Sequence, residues 1–381
     1  MRYNLSELCD IIGGGTPKTN IPQYWGGNIP WLSVKDFNND RKYVYEAEKS
    51  ITEEGLNNSA ATTLIEGDII ISARGTVGEM AVIPYPMSFN QSCYGLRAKK
   101  EIVDADYLYY LVKFKVKELK HNAHGSVFDT ITRDTFEGIE VDIPSKVNQQ
   151  KIAGILAALD SKIETNETIN HNLQQQAQAL YKAHFPYSVE DELPLGWKIG
   201  KVRDIIELHD SKRIPLSSRE RDKMTERKYP YYGATSVMDY VSDYIFDGCY
   251  LLLAEDGTVI DSNGHPILQY VWGKFWVNNH AHIITGKNGF SVESLLLYFS
   301  QLSVQSIVTG AVQPKISQAN LCSVPVVIPP REAVEEFNNT ISPLFTMLRS
   351  LSDENNHLAQ LRDSLLPKLM SGEIDVSEVE I

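Results

Sequence analysis

The apolar and polar positions are most regular over residues 147–185, VNQQKIAGILAALDSKIETNETINHNLQQQAQALYKAHF. Ile152, Leu156, Leu159, Ile163, Asn166, Asn170, Leu173, Ala177 and Leu180 recur in alternating steps of four and three, which is the spacing of a coiled-coil seam. No Pro interrupts the stretch before Pro186 and Gly154 is its only Gly, so propensity agrees with pattern. A helix of that length spans roughly 55 Å at about 1.5 Å per residue. Its seam needs a partner helix.

Residues 1–146 carry a different periodicity. EGDIIISARGTVGEMAVI predicts a buried strand (Ile69, Ile70, Ile71), a turn at Gly75 and Gly78, and a second strand. SFNQSCYGLRA predicts a further strand and ADYLYYLVKFKVKELKHNA an amphipathic helix. Tyr24, Trp25 and Trp31, in a Gly- and Pro-rich opening, fit core and turn packing. After the long helix this grammar returns: YPYYGATS, a strand with a glycine turn in DGCYLLLAEDGTV, the strand FWVNNHAHIIT, the helix SVESLLLYFSQLS, and a second long helical pattern over 331–372.

A fixed offset tests the repeat. Gly125 and Gly310, Pro144 and Pro329, Asn170 and Asn355, Leu173 and Leu358, and Leu180 and Leu365 are each 185 positions apart. The second seam, Val334, Phe337, Ile341, Leu344, Leu348, Leu351, Asn355, Leu358, Arg362, Leu365 and Leu369, keeps the phase of the first. Two equivalent helices pair most simply as an antiparallel coiled coil about a pseudo-twofold axis. The expected fold is therefore α+β: two pseudo-repeated globular α/β domains separated by two long helices. Its domains are 1–146, a spacer helix 147–186, 187–330, and a second spacer helix with tail 331–381.

Two seam features qualify the pattern. Asn166, Asn170 and Asn355 fall where the helix midpoints would meet. There they would penalise slipped registers, unless water or a partner covers the midsection. Pro343 follows Ser342 inside the second pattern, so that helix either kinks or restarts there. On the outer face, Gln149, Lys151 and Gln178 are available to partner proteins or to solvent.

Charge and chemistry narrow the function. The net charge of −13 argues by itself against nucleic acid as a partner. However, Lys212, Arg213, Arg219, Arg221, Lys223, Arg227 and Lys228 crowd one loop, which is either a local basic face or a solvated segment. Cys9, Cys93, Cys249 and Cys322 form no CxxC pair, so neither a disulfide framework nor a zinc site is expected. No phosphate loop, HExxH helix or Asn/Asp-Pro-Pro-aromatic motif is present. His280 and His282 in VNNHAHI share a strand face and could hold a metal. Without an evident third ligand, a hydrogen-bonding role is expected and no metal site is assigned.

In order, spacing and duplication, the marks GGTP, YWGG, IPWLS, EGDIIISARGTVG and FNQS in the first half, and YPYYGAT, YLLLAEDGT, VNNHAHI and LLPKLMSGEI in the second, resemble the specificity subunits of type I restriction-modification systems. The resemblance covers essentially the whole chain. It implies two target recognition domains that each read half of a split double-stranded DNA sequence, and helices that act as ruler and docking surface. It further implies a non-catalytic cytoplasmic chain without membrane association, working with methyltransferase subunits, two in number, and restriction/translocase subunits. S-adenosylmethionine, ATP and Mg would be bound by those partners and no cofactor by this chain. The alternative is an enzyme of related architecture, a DNA methyltransferase or nuclease whose motif is not recognisable.

Half-sites one helical turn apart lie roughly 34–36 Å from one another, within the reach of such helices. The residue types that read base edges and phosphates point to Lys18, Thr19, Lys35, Arg74, Thr76 and Gln91 in the first domain. In the second they point to Lys212, Arg213, Arg219, Tyr232, Thr235, Ser236 and His280.

Overall fold

Ile69, Ile70 and Ile71 are all buried because their strand, Ile69–Ser72, is covered on both faces. Side chains alternate across a strand: Ile69 and Ile71 enter a core shared with Tyr107, Leu108 and Val112, while Ile70 enters a second core with Leu32, Leu64, Met87 and Phe89. The second half repeats the device. Leu251 and Leu253 pack with Leu295 and Phe299, and Leu252 packs oppositely with Phe246, Phe275 and Val277. Each globular part is thus two sheets with a helix over one of them. The computed structural model describes residues 1–123, 130–310 and 312–379; Gly125 of the sequence repeat lies outside them.

The strand orders match throughout. In the first half one antiparallel sheet runs Cys9–Gly13, Cys93–Ala98, Ile69–Ser72, Met80–Val82. Its counterpart in the second half runs Ile206–Leu208, Ala281–Gly286, Tyr250–Ala254, Leu268–Val271. The other sheet pairs Trp25–Leu32 in parallel with Met87–Phe89, as Tyr229–Tyr232 pairs in parallel with Lys274–Val277. A two-stranded ribbon also occurs twice, Arg2–Asn4 with Glu140–Asp142 and Lys198–Lys201 with Pro325–Ile328. The duplication inferred from the helices therefore extends to every sheet.

Two helices follow these ribbons, Lys146–His184 with 39 residues and Arg331–Met370 with 40. The second continues through Ser342 and Pro343 and does not restart there. Compactness divides the chain within both helices, into Met1–Asn166 with Asp353–Ile381 and Glu167–Ser352.

In the first unit Ile152, Ala153 and Leu156 pack with Leu366 and Leu369. Asn166 Nδ2 donates to Asn355 Oδ1 at 2.8 Å and to Glu354 Oε2 at 2.7 Å, and Asn355 Nδ2 donates to the Ile163 carbonyl at 3.2 Å. In the second unit Leu173 and Ala177 pack with Phe337, Ile341, Phe345 and Leu348, and Asn170 Nδ2 donates to Ser352 Oγ at 3.0 Å. Numbers rise along one helix as they fall along the other, so the pairing in each unit is antiparallel.

The seam departs from the expected heptad in three places. Asp160, not Leu159, is the buried residue of its turn, because its carboxylate accepts from Arg362 at 2.9 Å and from the Tyr110 hydroxyl at 2.5 Å. In the second helix Phe345 replaces Leu344 and Leu366 replaces Leu365 as the buried residue. Gln149 also corrects its assignment to the outer face. It is 1% exposed, its side-chain carbonyl accepts from the Asp104 amide at 2.8 Å, and its Nε2 donates to the Pro144 carbonyl at 3.1 Å.

Replacing Gln149 with Leu leaves the Asp104 amide without its partner. We expect a loss of about 1–3 kcal/mol, read as a lower denaturant midpoint; an unchanged midpoint would show that the amide is satisfied otherwise.

Candidate nucleic-acid interface

The first unit gathers four segments at one end of its sheets. Gly15 N donates to the Phe89 carbonyl and Asn90 N to the Leu32 carbonyl, both at 3.0 Å, and Ala73 N donates to the Ser92 carbonyl at 2.8 Å. Trp31 Nε1 donates to the Gly15 carbonyl at 3.0 Å, which explains its burial in the core. The opening loop sits so close that a Cβ on Gly14 would lie 2.1 Å from the Asn90 carbonyl oxygen. Glycine is required there by the approach of two backbones.

On these segments Lys18, Thr19, Lys35, Arg74, Thr76 and Gln91 are all exposed. Gln91 hydrogen-bonds Thr16, tying its amide to the opening loop. Arg74 crowns a tight turn in which Ser72 Oγ donates to the Thr76 carbonyl at 2.5 Å and Gly78 N returns to the Ser72 carbonyl at 2.9 Å. The Lys120 side chain lies against Gly78, a cation at this turn that its position on a separate helix hid from the sequence. Among the described residues Lys18, Lys35 and Arg74 make no ion pair, so their charges face outward.

The second unit builds the same frame with different chemistry. Asn278 N donates to the Tyr232 carbonyl at 3.0 Å and Glu255 N to the His280 carbonyl at 2.8 Å, repeating the Asn90–Leu32 and Ala73–Ser92 bonds. Asp256 therefore occupies the place of Arg74, and His280 that of Ser92. Their side chains meet, with His280 Nδ1 2.7 Å from Asp256 Oδ1. His280 precedes the strand Ala281–Gly286 and engages a different acid from His282, so the two do not converge on one ligand.

Other sequence candidates are occupied within the unit. Arg213 donates to Glu255 Oε2 at 2.6 Å, to the Ala281 carbonyl at 2.9 Å and to the Asp210 carbonyl at 3.1 Å, and so it closes a loop inside the domain. Tyr232 is half-buried, its ring edge-on to Phe275 with centroids 5.7 Å apart, and burial raises its phenol above the usual range. Within the basic run Arg221 and Arg227 converge on Asp239 at 2.9 and 2.8 Å, and Lys228 pairs with Glu226 at 3.3 Å. The basic face is smaller than the composition of the loop suggests. Lys212, Arg219, Thr235 and Ser236 remain exposed.

Beneath this end lies a buried polar cluster that the sequence did not reveal. His282 Nδ1 is 2.6 Å from Asp210 Oδ2 and its Nε2 is 2.8 Å from the Ile316 carbonyl; Glu255 Oε2 is 3.8 Å from the same Nδ1. Asp210, Glu255 and His282 offer ligand atoms within 4.8 Å of one another, which supplies the acids missing from the sequence reading of His282. The charges are already answered, because Arg213 and Lys315 stand 2.6 and 3.1 Å from Glu255 and Gln318 donates to Asp210 at 2.5 Å. The cluster fastens the loop after Leu208 to three other segments.

Burial by itself would raise the Asp210 carboxyl, but the hydrogen bond and charge of His282, with the Ile283 amide and Gln318, hold it below the usual carboxylate range. Burial acts likewise on Glu255 and is outweighed by Arg213 and Lys315. Depressed folded-state values give stability that is present above the ordinary carboxylate range and is lost as pH falls through it and below. We expect hydrogen-exchange protection of the Ile283 amide, which donates to Asp210 at 2.9 Å, to fall on acidification. The Asp210→Asn variant should lose part of that protection at neutral pH and show a flatter acid limb; identical profiles would remove Asp210 as the cause.

The sequence profile of the type I restriction modification DNA specificity domain matches residues 1–175 and 194–360, one segment in each half. The type I restriction enzyme MjaIX specificity subunit of Methanocaldococcus jannaschii is 28% identical, over 98% of this chain and 93% of that protein. The EcoprrI specificity subunit of Escherichia coli is 20% identical, over 85% of this chain and 82% of its own length. In fold, the chain resembles the crystal structure of the type I restriction-modification S subunit from M. genitalium, with a TM-score of 0.58 and 16% identity over 97% of this chain and 96% of that one. With a matched segment on each copy of its duplicated frame, the chain belongs to the DNA-specificity family of type I restriction-modification systems.

Proposed function

We propose that this chain reads a split double-stranded DNA target, one half-site per globular part, while its paired helices set the half-site separation and receive methyltransferase subunits. The observation that carries this reading is a frame present twice whose equivalent loop ends differ in chemistry. Arg74 faces outward at one, and an Asp256–His280 pair stands at the other. An outward guanidinium recognises guanine or phosphate, whereas a His–Asp pair presents a different pattern of donors and acceptors. Two unlike readers on one frame suit an asymmetric bipartite sequence.

Lys18, Lys35, Arg74 and Thr76 are the first-domain residues best placed to contact DNA, and Lys212, Arg219, Thr235, Ser236 and His280 those of the second. Gln91, tied to the opening loop through Thr16, stands with Lys18 and Thr19, which that loop exposes. With a net charge of −13, the chain leaves much of the phosphate neutralisation to its partners. Bond-making is likewise theirs: two methyltransferase subunits would bring S-adenosylmethionine, and restriction/translocase subunits ATP and Mg. Among the described residues no helix is long and apolar enough to cross a membrane, and the place of action we assign is the cytoplasm, with the DNA. Asn166, Asn170 and Asn355 would hold the register of the spacer.

Exchanging residues 1–146 for the corresponding segment of another specificity subunit should change one half-site of the methylation pattern and leave the other intact, as read by methylome sequencing with the cognate methyltransferase; two unchanged half-sites would sink the two-reader account. Adding one heptad to each long helix in register should widen the gap between half-sites without altering either. A gap of unchanged width would remove the ruler.

A further inference from the structure

We infer that the buried group Tyr110, Asp160 and Arg362 decides which helix pairs with which: it makes each half of this chain fit the other half and excludes a second copy of itself. Duplication creates the problem this solves. The two long helices share period and phase, and Asn170 and Asn355 are equivalents at the 185-residue offset, so either helix offers an apolar seam with a central amide. Those features do not distinguish a helix from its duplicate. Two first halves could pair as readily as a first with a second.

The amide pattern differs at Asn166, which corresponds to Leu351, but in buried charge the equivalence breaks at one contact. In the first unit Arg362, 3% exposed, reaches Asp160 at 2.9 Å and Asp40 at 2.8 Å, and Asp160, 7% exposed, accepts from Tyr110 at 2.5 Å. At the same offset Asp160 corresponds to Phe345 and Arg362 to Ala177. Tyr110 corresponds to Leu297, each the sixth residue after the capping Asp104 or Ser291. Phe345, Ala177 and Leu297 are buried together in one apolar cluster of the second unit. The same three-way contact is ionic in one arm and hydrocarbon in the other.

The consequence follows from the antiparallel register. Two first helices would set each Asp160 opposite an Ala177, and two second helices each Arg362 opposite a Phe345. The first leaves two carboxylates buried without a counter-ion, and the second leaves each buried Arg362 only its own exposed neighbour Asp363, 2.9 Å from its Nε; both arrangements are costly in a protein interior. Pairing unlike halves satisfies both charges. The contribution is selectivity rather than attraction, since a buried ion pair adds little to stability over an apolar contact of similar size. Like halves would build a symmetric particle; this group enforces one of each. The inference concerns assembly and stands whether or not the DNA reading above is right.

The test uses the full chain with a protease site inserted between Glu192 and Leu193, in an exposed connector. Nicking places like and unlike pairing in direct competition. Tagged and untagged nicked preparations are mixed, allowed to re-pair after mild urea treatment, and weighed by native mass spectrometry. Nicked wild type should contain only particles with one half of each kind. Two variants should yield like pairs in statistical proportion: Asp160→Asn with Arg362→Gln, which removes charge at nearly constant volume, and Tyr110→Leu with Asp160→Phe and Arg362→Ala, which copies the apolar arm. Circular dichroism of the un-nicked variants confirms that each folds. Statistical amounts of like pairs in nicked wild type, or strict unlike pairing in a folded variant, would overturn the inference.

Discussion

The antiparallel pairing of two long helices is the contact on which the rest of this structure depends. Each helix presents an apolar stripe, of Ile, Leu and Ala in the first and with Phe added in the second, that no part of its own globular domain could cover along its whole length, and burial of that stripe holds the chain's two ends in one unit. Ile152 and Leu156 share a core with Leu366 and Leu369, and that core also contains the N-terminal Leu5 and the tail residue Val376. The first unit is thus assembled from both ends of the chain. Loss of helix pairing would expose apolar area on every element that contributes to it.

Polar groups in that seam act mainly against alternatives. Asn166 donates a hydrogen bond to Asn355, yet the side-chain carbonyls of Asn166 and Asn170 have no partner among the described residues. Half-satisfied amides of this kind add little stability. A slipped register would leave more of them unpaired, so their contribution lies in choosing one alignment. The Asp160–Arg362 pair works by the same logic with full charges, and is accordingly tied down by Tyr110 and Asp40.

The globular parts separate framework from surface in a way that suits recognition. Their sheets keep one strand order and their loops are fixed by matching backbone bonds, so a side chain can change at a loop end without moving the frame. Arg74 and Asp256 illustrate this: opposite charges, equivalent turns, each followed by Gly in the left-handed region, Gly75 and Gly257. Backbone geometry is conserved between the copies because turns and ladders demand it. Exposed side chains are free to differ.

What the sequence by itself determined was periodic. The steps of four and three located both helices, the 185-residue offset revealed the duplication, and the isoleucine and leucine runs marked strands covered on both faces, because these signals lie between neighbours along the chain. Only the tertiary structure decided which charges are available. Arg213 and Arg74 look alike in the sequence, but Glu255 and Asp210, 42 and 3 positions from Arg213, engage the first, while no acid reaches the second among the described residues. Gln149 looked outward until Asp104 and Pro144 enclosed it, and Asp160 displaced Leu159 from the seam through a partner 202 residues away. Periodicity records local geometry; the fate of a polar side chain depends on what folding brings beside it, and that pairing leaves no period to read.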